Sequence, residues 1–292
     1  GFWSEVFAES FGCPKPYSSH NPMSAVSFAK TYGGTDDEEA YSVQQTSDGG
    51  YIVAGGTYSF SAGSWDIILI KTDANGNIQW AKTYRGASNE IAYSVQQTSD
   101  GGYIVAGYTG SWPYYDYDIF LIKTDASGNI IWAKTYGGTD EDWAYSVQQT
   151  SDGGYIVAGW TYYFSVGYND DIFLIKTDAN GNIIWAKTYG GTGSDRAYSV
   201  QQTSDGGYIV AGWTTSFSAD STDIFLIKTD ANGNIIWAKT YRGTGRDVAF
   251  SVQQTSDGGY IVAGWTTSFG AGYYDIFLIK TDANGNIIWA KT

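Results

Sequence analysis

Short apolar runs recur along the chain in two forms, YIVA and IFLI or close variants, each bounded by polar turn residues. The runs are too brief for helices, and no 3.6-residue period links them, so they read as β-strands. In the third stretch of this pattern, Ala144 to Thr150, Gly154 to Thr161, Asp171 to Thr177 and Asn182 to Tyr189 form four strands, A to D. The turns between them contain Ser-Asp-Gly-Gly and Asp-Ala-Asn-Gly-Asn, and Asn-Gly is a strong hairpin signal because both residues tolerate positive φ. Strands B and C are apolar on both faces and must be covered on both. Strand A (Ser, Gln, Gln, Thr) suits a polar central channel, and strand D, mixing Trp and Ile with Lys and Thr, suits a half-exposed rim.

The unit repeats. The string SVQQTSDGGYIVAG starts at Ser42, Ser94, Ser146, Ser199 and Ser251. A four-stranded sheet recurring at this spacing predicts an all-β, five-bladed β-propeller of four-stranded antiparallel blades, with each blade wedged between two others. The repeats fall at about 41–92, 93–144, 145–197, 198–249 and 250–292 within a propeller spanning 25–292. A β-solenoid, with coils of about 20 to 30 residues, fits a unit this long badly.

The segment from Thr177 to Gly191, TDANGNIIWAKTYGG, resembles the tryptophan-docking motif of quinoprotein-type propellers. That resemblance implies that an Asp, a turn Gly and a Trp lock neighbouring blades once per repeat. It brings no cofactor, because those enzymes hold theirs with additional non-repeat residues that have no counterpart here. The whole unit, TSDGGYIVAG followed by LIKTDANGNIIW, also resembles uncharacterised repeat proteins of archaea and bacteria that are expected to be secreted.

The aromatic preceding Ala-Lys-Thr occurs at Phe28, Trp80, Trp132, Trp185, Trp237 and Trp289. Residues 25–34 therefore form an extra D-type strand, a sixth for five blades. It either lies at one blade's rim or pairs with another subunit, since a free strand edge is a template for addition. Residues 1–24 stand outside the repeat as an N-terminal docking tail. Phe2, Trp3, Val6, Phe7 and Phe11 fall on one face at helical spacing and, with Phe28, are the candidate assembly residues, docking on the same chain or a neighbour.

Sixteen basic against 30 acidic residues give a net charge of −14. That balance opposes nucleic-acid binding and attraction to an anionic membrane. No apolar run approaches the roughly 18 residues that span a bilayer. Cys13 is the only cysteine, so no internal disulfide framework exists. The chain begins with Gly1 rather than Met, which reads as a processed product.

Reactive groups are sparse. His20 is the single histidine and builds neither a metal site nor a triad. Glu38, Glu90, Asp142, Asp195 and Asp247 recur just before strand A. They form either a ring of carboxylates at one channel mouth or separate turn acids. Tyr108, Trp160, Trp213 and Trp265 share one equivalent position, either as a ligand face for sugars or as wedges between blades. No catalytic set and no cofactor or metal site emerges. The sequence points to a non-catalytic extracellular or cell-surface structural protein, a homo-oligomer or polymer such as a filament or surface layer. A lectin-like, glycan-binding adhesin is the alternative.

Overall fold

The computed structural model describes residues 30–61, 64–86, 88–111, 116–162, 169–218, 221–270 and 273–292. Two units are distinguished along the chain, Gly1–Tyr32 and the larger Gly33–Thr292. The larger unit is a five-bladed β-propeller of four-stranded antiparallel sheets. Blade 1 comprises β1 (Glu38–Gln45), β2 (Tyr51–Thr57), β3 (Asp66–Thr72) and β4 (Ile78–Tyr84); blade 2 comprises β5 (Glu90–Gln97), β6 (Tyr103–Ser111), β7 (Asp116–Thr124) and β8 (Ile130–Tyr136). Blade 3 is β9 (Asp142–Gln149), β10 (Tyr155–Thr161), β11 (Asp171–Thr177) and β12 (Ile183–Tyr189). Blade 4 is β13 (Asp195–Gln202), β14 (Tyr208–Thr214), β15 (Asp223–Thr229) and β16 (Ile235–Tyr241), and blade 5 is β17 (Asp247–Gln254), β18 (Tyr260–Thr266), β19 (Asp275–Thr281) and β20 (Ile287–Lys291).

Each blade is a simple meander in which consecutive strands pair. The A–B pairing breaks register once per blade, at Ala197/Ser199 in blade 4 for example. The glycine ending YIVAG makes this bulge possible: a Cβ on Gly212 would fall 1.9 Å from the carbonyl oxygen of Arg196. Bulges bend a strand and increase its twist, as a blade requires.

Four hydrophobic clusters, one at each blade junction, make up the core. Between blades 3 and 4, Ile156, Ala158, Ile172 and Leu174 meet Val200, Tyr208, Val210, Phe225 and Ile227, with Trp185 at the edge. Strands B and C thus bury both faces in the middle blades, as their unbroken apolar runs require.

Polar groups of strand A, expected to face a channel, bridge the blades instead. The Val95 amide donates to Ser42 Oγ (3.1 Å), the Gln97 amide to Gln44 Oε1 (2.5 Å), and the Ser47 amide to Gln97 Oε1 (2.8 Å). The same three bonds recur at the other three junctions, ending at Gln254. Between the A strands runs a column of rings, Tyr41, Tyr93, Tyr145, Tyr198 and Phe250, with successive centroids 4.7 to 5.0 Å apart.

Cover on both faces stops at the end blades. Val43 is 66 % exposed, whereas Val95, Val147, Val200 and Val252 are 5 to 6 % exposed. Tyr51 is 38 % exposed, and its four counterparts 1 %. On the opposite end, Ile276 and Leu278 are 68 % and 40 % exposed, while Ile224 and Leu226 at the same repeat positions are 3 % and 0 %. The sequence expectation that each blade is wedged on both sides therefore holds for blades 2 to 4 and is corrected for the outward faces of blades 1 and 5. Of the extra D-type strand at 25–34, residues 30–34 are described and lie in no strand; residues 25–29, including Phe28, lie outside the described residues.

Candidate functional site

The rim of each junction is built from the Asp-Ala-Asn-Gly-Asn turn, with Ser127 in place of the first Asn at the first junction. Asp178 Oδ1 accepts the amides of Asn180 and Asn182 at 2.8 Å, and Asn182 Nδ2 donates to Asp178 Oδ2, which closes the loop on itself. The turn glycine has φ near +73°, and its bare Cα receives the preceding blade's tryptophan: a Cβ on Gly181 would lie 2.9 Å from the Trp132 ring. Tyr136 OH donates to the Gly181 carbonyl at 2.7 Å, and Lys134 Nζ to Asn182 Oδ1 at 2.6 Å. This arrangement repeats at all four junctions. Trp289 and Lys291 of blade 5 are exposed.

The A-to-B turn carries a second recurring polar unit. Lys176 is buried beneath Asp152, with Nζ 2.9 Å from Asp152 Oδ2 and 2.8 Å from the Thr177 carbonyl. Burial opposes ionisation of this carboxyl. The Thr150 hydroxyl, the Lys176 ammonium and the Gly154 amide outweigh that and hold it down to about 2. Asp100 and Asp205 sit in the same setting and are also held near 2.

Four of the five acids expected at a channel mouth are buried at the junctions: Glu90, Asp142, Asp195 and Asp247 are 0 to 3 % exposed, and Glu38 is half-buried. Glu38, Glu90, Asp142 and Asp195 each accept an amide of the loop before their own strand A. Glu38 accepts the Gly34 amide (3.1 Å) and Thr57 hydroxyl (3.0 Å), and Glu90 the Gly86 amide (2.8 Å). Asp142 accepts the Gly138 amide (3.1 Å), and Asp195 the Gly191 amide (3.0 Å) and Ser216 hydroxyl (2.5 Å). Asp247 takes the hydroxyls of Thr266 and Ser268.

Across each junction such an acid faces the Asp that opens the preceding blade's strand C. Burial pushes Glu90 up, against the opposing loop amides and Thr109, with Asp66 adding repulsion; Asp223 is likewise raised by burial, partly offset by Arg242, with Asp247 adding to the rise.

The shared aromatic position does not form a single open face. Tyr108 and Trp160 are buried, and Trp213 and Trp265 are half-buried. Trp160 stacks on Trp143 with centroids 5.6 Å apart, and the Arg196 guanidinium lies 4.2 Å above its ring and 5.6 Å from Trp213. Arg196 is itself clamped by Asp170, through Nε at 2.7 Å. Among the described residues, exposed rings lie in the B-to-C loops of blade 1 (Tyr58, Phe60), blade 4 (Phe217) and blade 5, where Tyr274 meets Trp265 edge-on at 4.8 Å and Tyr273 is open to solvent.

The tail residues Phe2, Trp3, Val6, Phe7 and Phe11, together with Cys13 and His20, lie outside the described residues. Among the described residues no group of three or more His, Cys, Asp or Glu side chains is placed to hold a metal ion. No helix among them is long and apolar enough to cross a membrane.

Comparison with solved structures supports the propeller. The WD40 domain of Neurospora crassa Pan2 aligns with a TM-score of 0.55 at 12 % identity, over 87 % of this chain and 65 % of that one. The acylaminoacyl peptidase of Pyrococcus horikoshii aligns more loosely, with a TM-score of 0.47 at 8 % identity over 86 % of this chain and 39 % of that one, too distant to bear on activity. Among curated proteins, regulatory protein FlaEY of Caulobacter vibrioides is 28 % identical over 138 residues, which are 39 % of this chain and 14 % of FlaEY. This chain thus spans a small part of that relative's length. Residues 255–287 match DUF5122, a domain of unknown function described as a beta-propeller. Residues 23–244 match the profile of holdfast attachment protein D, and the chain belongs to that family.

Proposed function

We propose that this chain is a non-catalytic structural component of cell-surface attachment, and that it associates end to end through the outward faces of blades 1 and 5. The observation that carries the reading is the pair of exposed blade faces. Val43, Tyr51 and Tyr41 are exposed on one, and Ile276, Leu278, Trp289 and Phe250 on the other. The covered counterparts of these residues are what join blades inside the chain, so the two faces are complementary by repetition. Docking blade 5 of one copy on blade 1 of the next would repeat the internal junction, with Trp289 over Gly76 and Phe250 beside Tyr41. Each large apolar side chain so buried contributes on the order of 1.5 to 3 kcal/mol, and several are needed to offset the cost of association. A head-to-tail contact of this kind extends into a filament unless its rotation closes a ring.

Membership of the holdfast attachment family supports a cell-surface or extracellular setting. The tail at 1–24 and the D-type strand at 25–34 are read as further contributors to assembly. The Trp-on-glycine junctions play the locking part that the tryptophan-docking motif implies, without its cofactor. Near-identical blades leave no one blade with a distinctive set of reactive groups, which supports a non-catalytic role. Electron microscopy of the purified chain and of the native surface material tests the proposal. Linear particles with the blade repeat are expected, and uniformly monomeric particles would remove it.

A second reading, glycan binding, is favoured by the exposed Tyr273 and Tyr274 beside Trp265. Binding on a glycan array that disappears in Trp265→Ala would support it.

A further inference from the structure

The second residue of strand A is where the five near-identical A strands differ most: Glu39, Ile91, Trp143, Arg196 and Val248. At the first three junctions this side chain plugs into the preceding blade. Ile91 closes on blade 1, where a Cβ on Gly56 would fall 3.5 Å from its Cγ1 and 2.9 Å from the Trp65 ring. Trp143 lies against Tyr108 and Tyr117 of blade 2, with centroids 4.2 and 5.7 Å away. Arg196 lies 4.2 Å above Trp160 of blade 3, and its Nε donates to Asp170 Oδ2 at 2.7 Å. At the fourth junction Val248 is likewise buried, at 4 % exposure. The socket comes from the same two positions each time, the residue after YIVAG in strand B and the residue before the aspartate of the strand C run. Plug and socket change together from junction to junction: apolar on aromatic, aromatic on aromatic, cation on tryptophan and carboxylate.

A fifth plug and a fifth socket stay open in the single chain. Glu39 is exposed and accepts the hydroxyl of Tyr41. On the outward face of blade 5 the socket positions hold Trp265, half-buried, and Tyr274, 64 % exposed and edge-on to it at 4.8 Å. Arg246 is exposed, with its guanidinium carbon 6.0 Å from the Trp265 ring, and no ion pair among the described residues engages it. In blade 4 the Trp213 indole donates to Tyr198 OH at 3.2 Å; blade 5 has Phe250 at that position, which offers Trp265 no such acceptor. The open socket therefore presents hydrogen-bond donors and a cation, and the open plug is a carboxylate.

We propose that Glu39 of one copy docks on Trp265 and Tyr274 of a second copy and pairs there with Arg246, and that this pair selects the head-to-tail contact. The inference rests on the end-to-end reading above and adds what gives that contact its direction. The third junction is the internal precedent, with the cation in the plug and the carboxylate beside the socket tryptophan; between copies the charges are exchanged. Blade 1 set against blade 1 would bring two Glu39 side chains together, and blade 5 against blade 5 two Arg246 side chains. Only blade 1 on blade 5 pairs opposite charges, and opposed like charges at an interface suppress the wrong partner. The net charge of −14 makes copies repel at long range, so orientation depends on such local complementarity.

The test compares self-association of the full wild-type chain with Arg246→Glu and with the double variant Arg246→Glu/Glu39→Arg, by sedimentation velocity at low salt. Arg246→Glu should weaken association by about tenfold or more, and the double variant, with the charges placed as at the third junction, should regain most of it. Raising NaCl to about 1 M should narrow the gap between wild type and Arg246→Glu. Both residues are exposed, so an unchanged Tm in each variant shows that the blades persist. A wild-type chain that associates while Arg246→Glu associates equally well overturns the proposal and leaves the end-to-end reading standing. A double variant as weak as the single one does the same. A wild-type chain that stays monomeric removes both. Association indifferent to these substitutions, with glycan binding that Trp265→Ala abolishes, would assign the socket to a sugar and overturn the proposal as well.

Discussion

Trp80 of the first blade lies over Gly128 of the second so closely that a Cβ on the glycine would be 2.9 Å from the indole ring. The contact recurs as Trp132 on Gly181, Trp185 on Gly233 and Trp237 on Gly285. Two requirements meet in that glycine. Its φ of +72° to +74° closes the Asp-Ala-Asn-Gly-Asn turn (Asp-Ala-Ser-Gly-Asn in blade 2), and its missing side chain is the seat of the preceding blade's ring.

Gly233→Ala should therefore cost more than the roughly 1 kcal/mol of an alanine at positive φ alone, because the methyl also lifts Trp185. Trp185→Ala should cost roughly 2 to 4 kcal/mol, at or below the range for a fully buried tryptophan, since the ring is half-buried. Guanidinium unfolding measures both, with unchanged far-UV circular dichroism before the transition showing that the blades persist.

Leu226 and Leu278 occupy the same repeat position with 0 % and 40 % exposure. Leu226→Lys buries a charge between blades and should destabilise by more than about 3 kcal/mol or prevent folding. Leu278→Lys should change stability by less than about 1 kcal/mol in dilute solution, where no partner covers it. Equal penalties at the two sites would mean that the outward face of blade 5 is covered in the monomer.

Acid pH should dissolve the lysine clips. Asp100, Asp152 and Asp205 are held down to about 2, so their contribution is present above the ordinary carboxylate pKa of about 4 and is lost as pH falls through 2. These carboxylates are half exposed, so solvent screening keeps each contribution modest. Asp66, Glu90 and Asp223 act in the opposite sense. Burial raises them, and the stability tied to their neutral forms is lost as pH rises through their raised values. Thermal unfolding from pH 2 upward should show Tm rising steeply to about pH 4 and passing its maximum on the acid side of neutrality. Asp205→Asn should flatten the acid limb.

The fold was largely legible because a repeated sheet declares itself through its period. Strand C of blade 3 runs from Asp171 to Thr177, as read from the apolar run, and strand A begins two residues earlier than expected, at Asp142. The roles of polar residues were less legible. Gln44 and Gln97 look like solvent-facing residues in a strand, and only the approach of the next blade turns them into bridges. Asp195 and its equivalents read as loop acids because burial at a junction depends on residues more than twenty positions away. Trp160 looked available for a ligand until Arg196 and Trp143 were seen to cover it. The open end faces carry the same residues as the closed junctions, so no local sequence signal distinguishes them.

Sedimentation velocity of the wild-type chain and of Leu278→Lys over a wide concentration range tests end-to-end association most directly. The account predicts a series of species growing with concentration in the wild type and a single monomer in the variant. A wild-type chain that stays monomeric throughout, or a variant that assembles equally well, would contradict it.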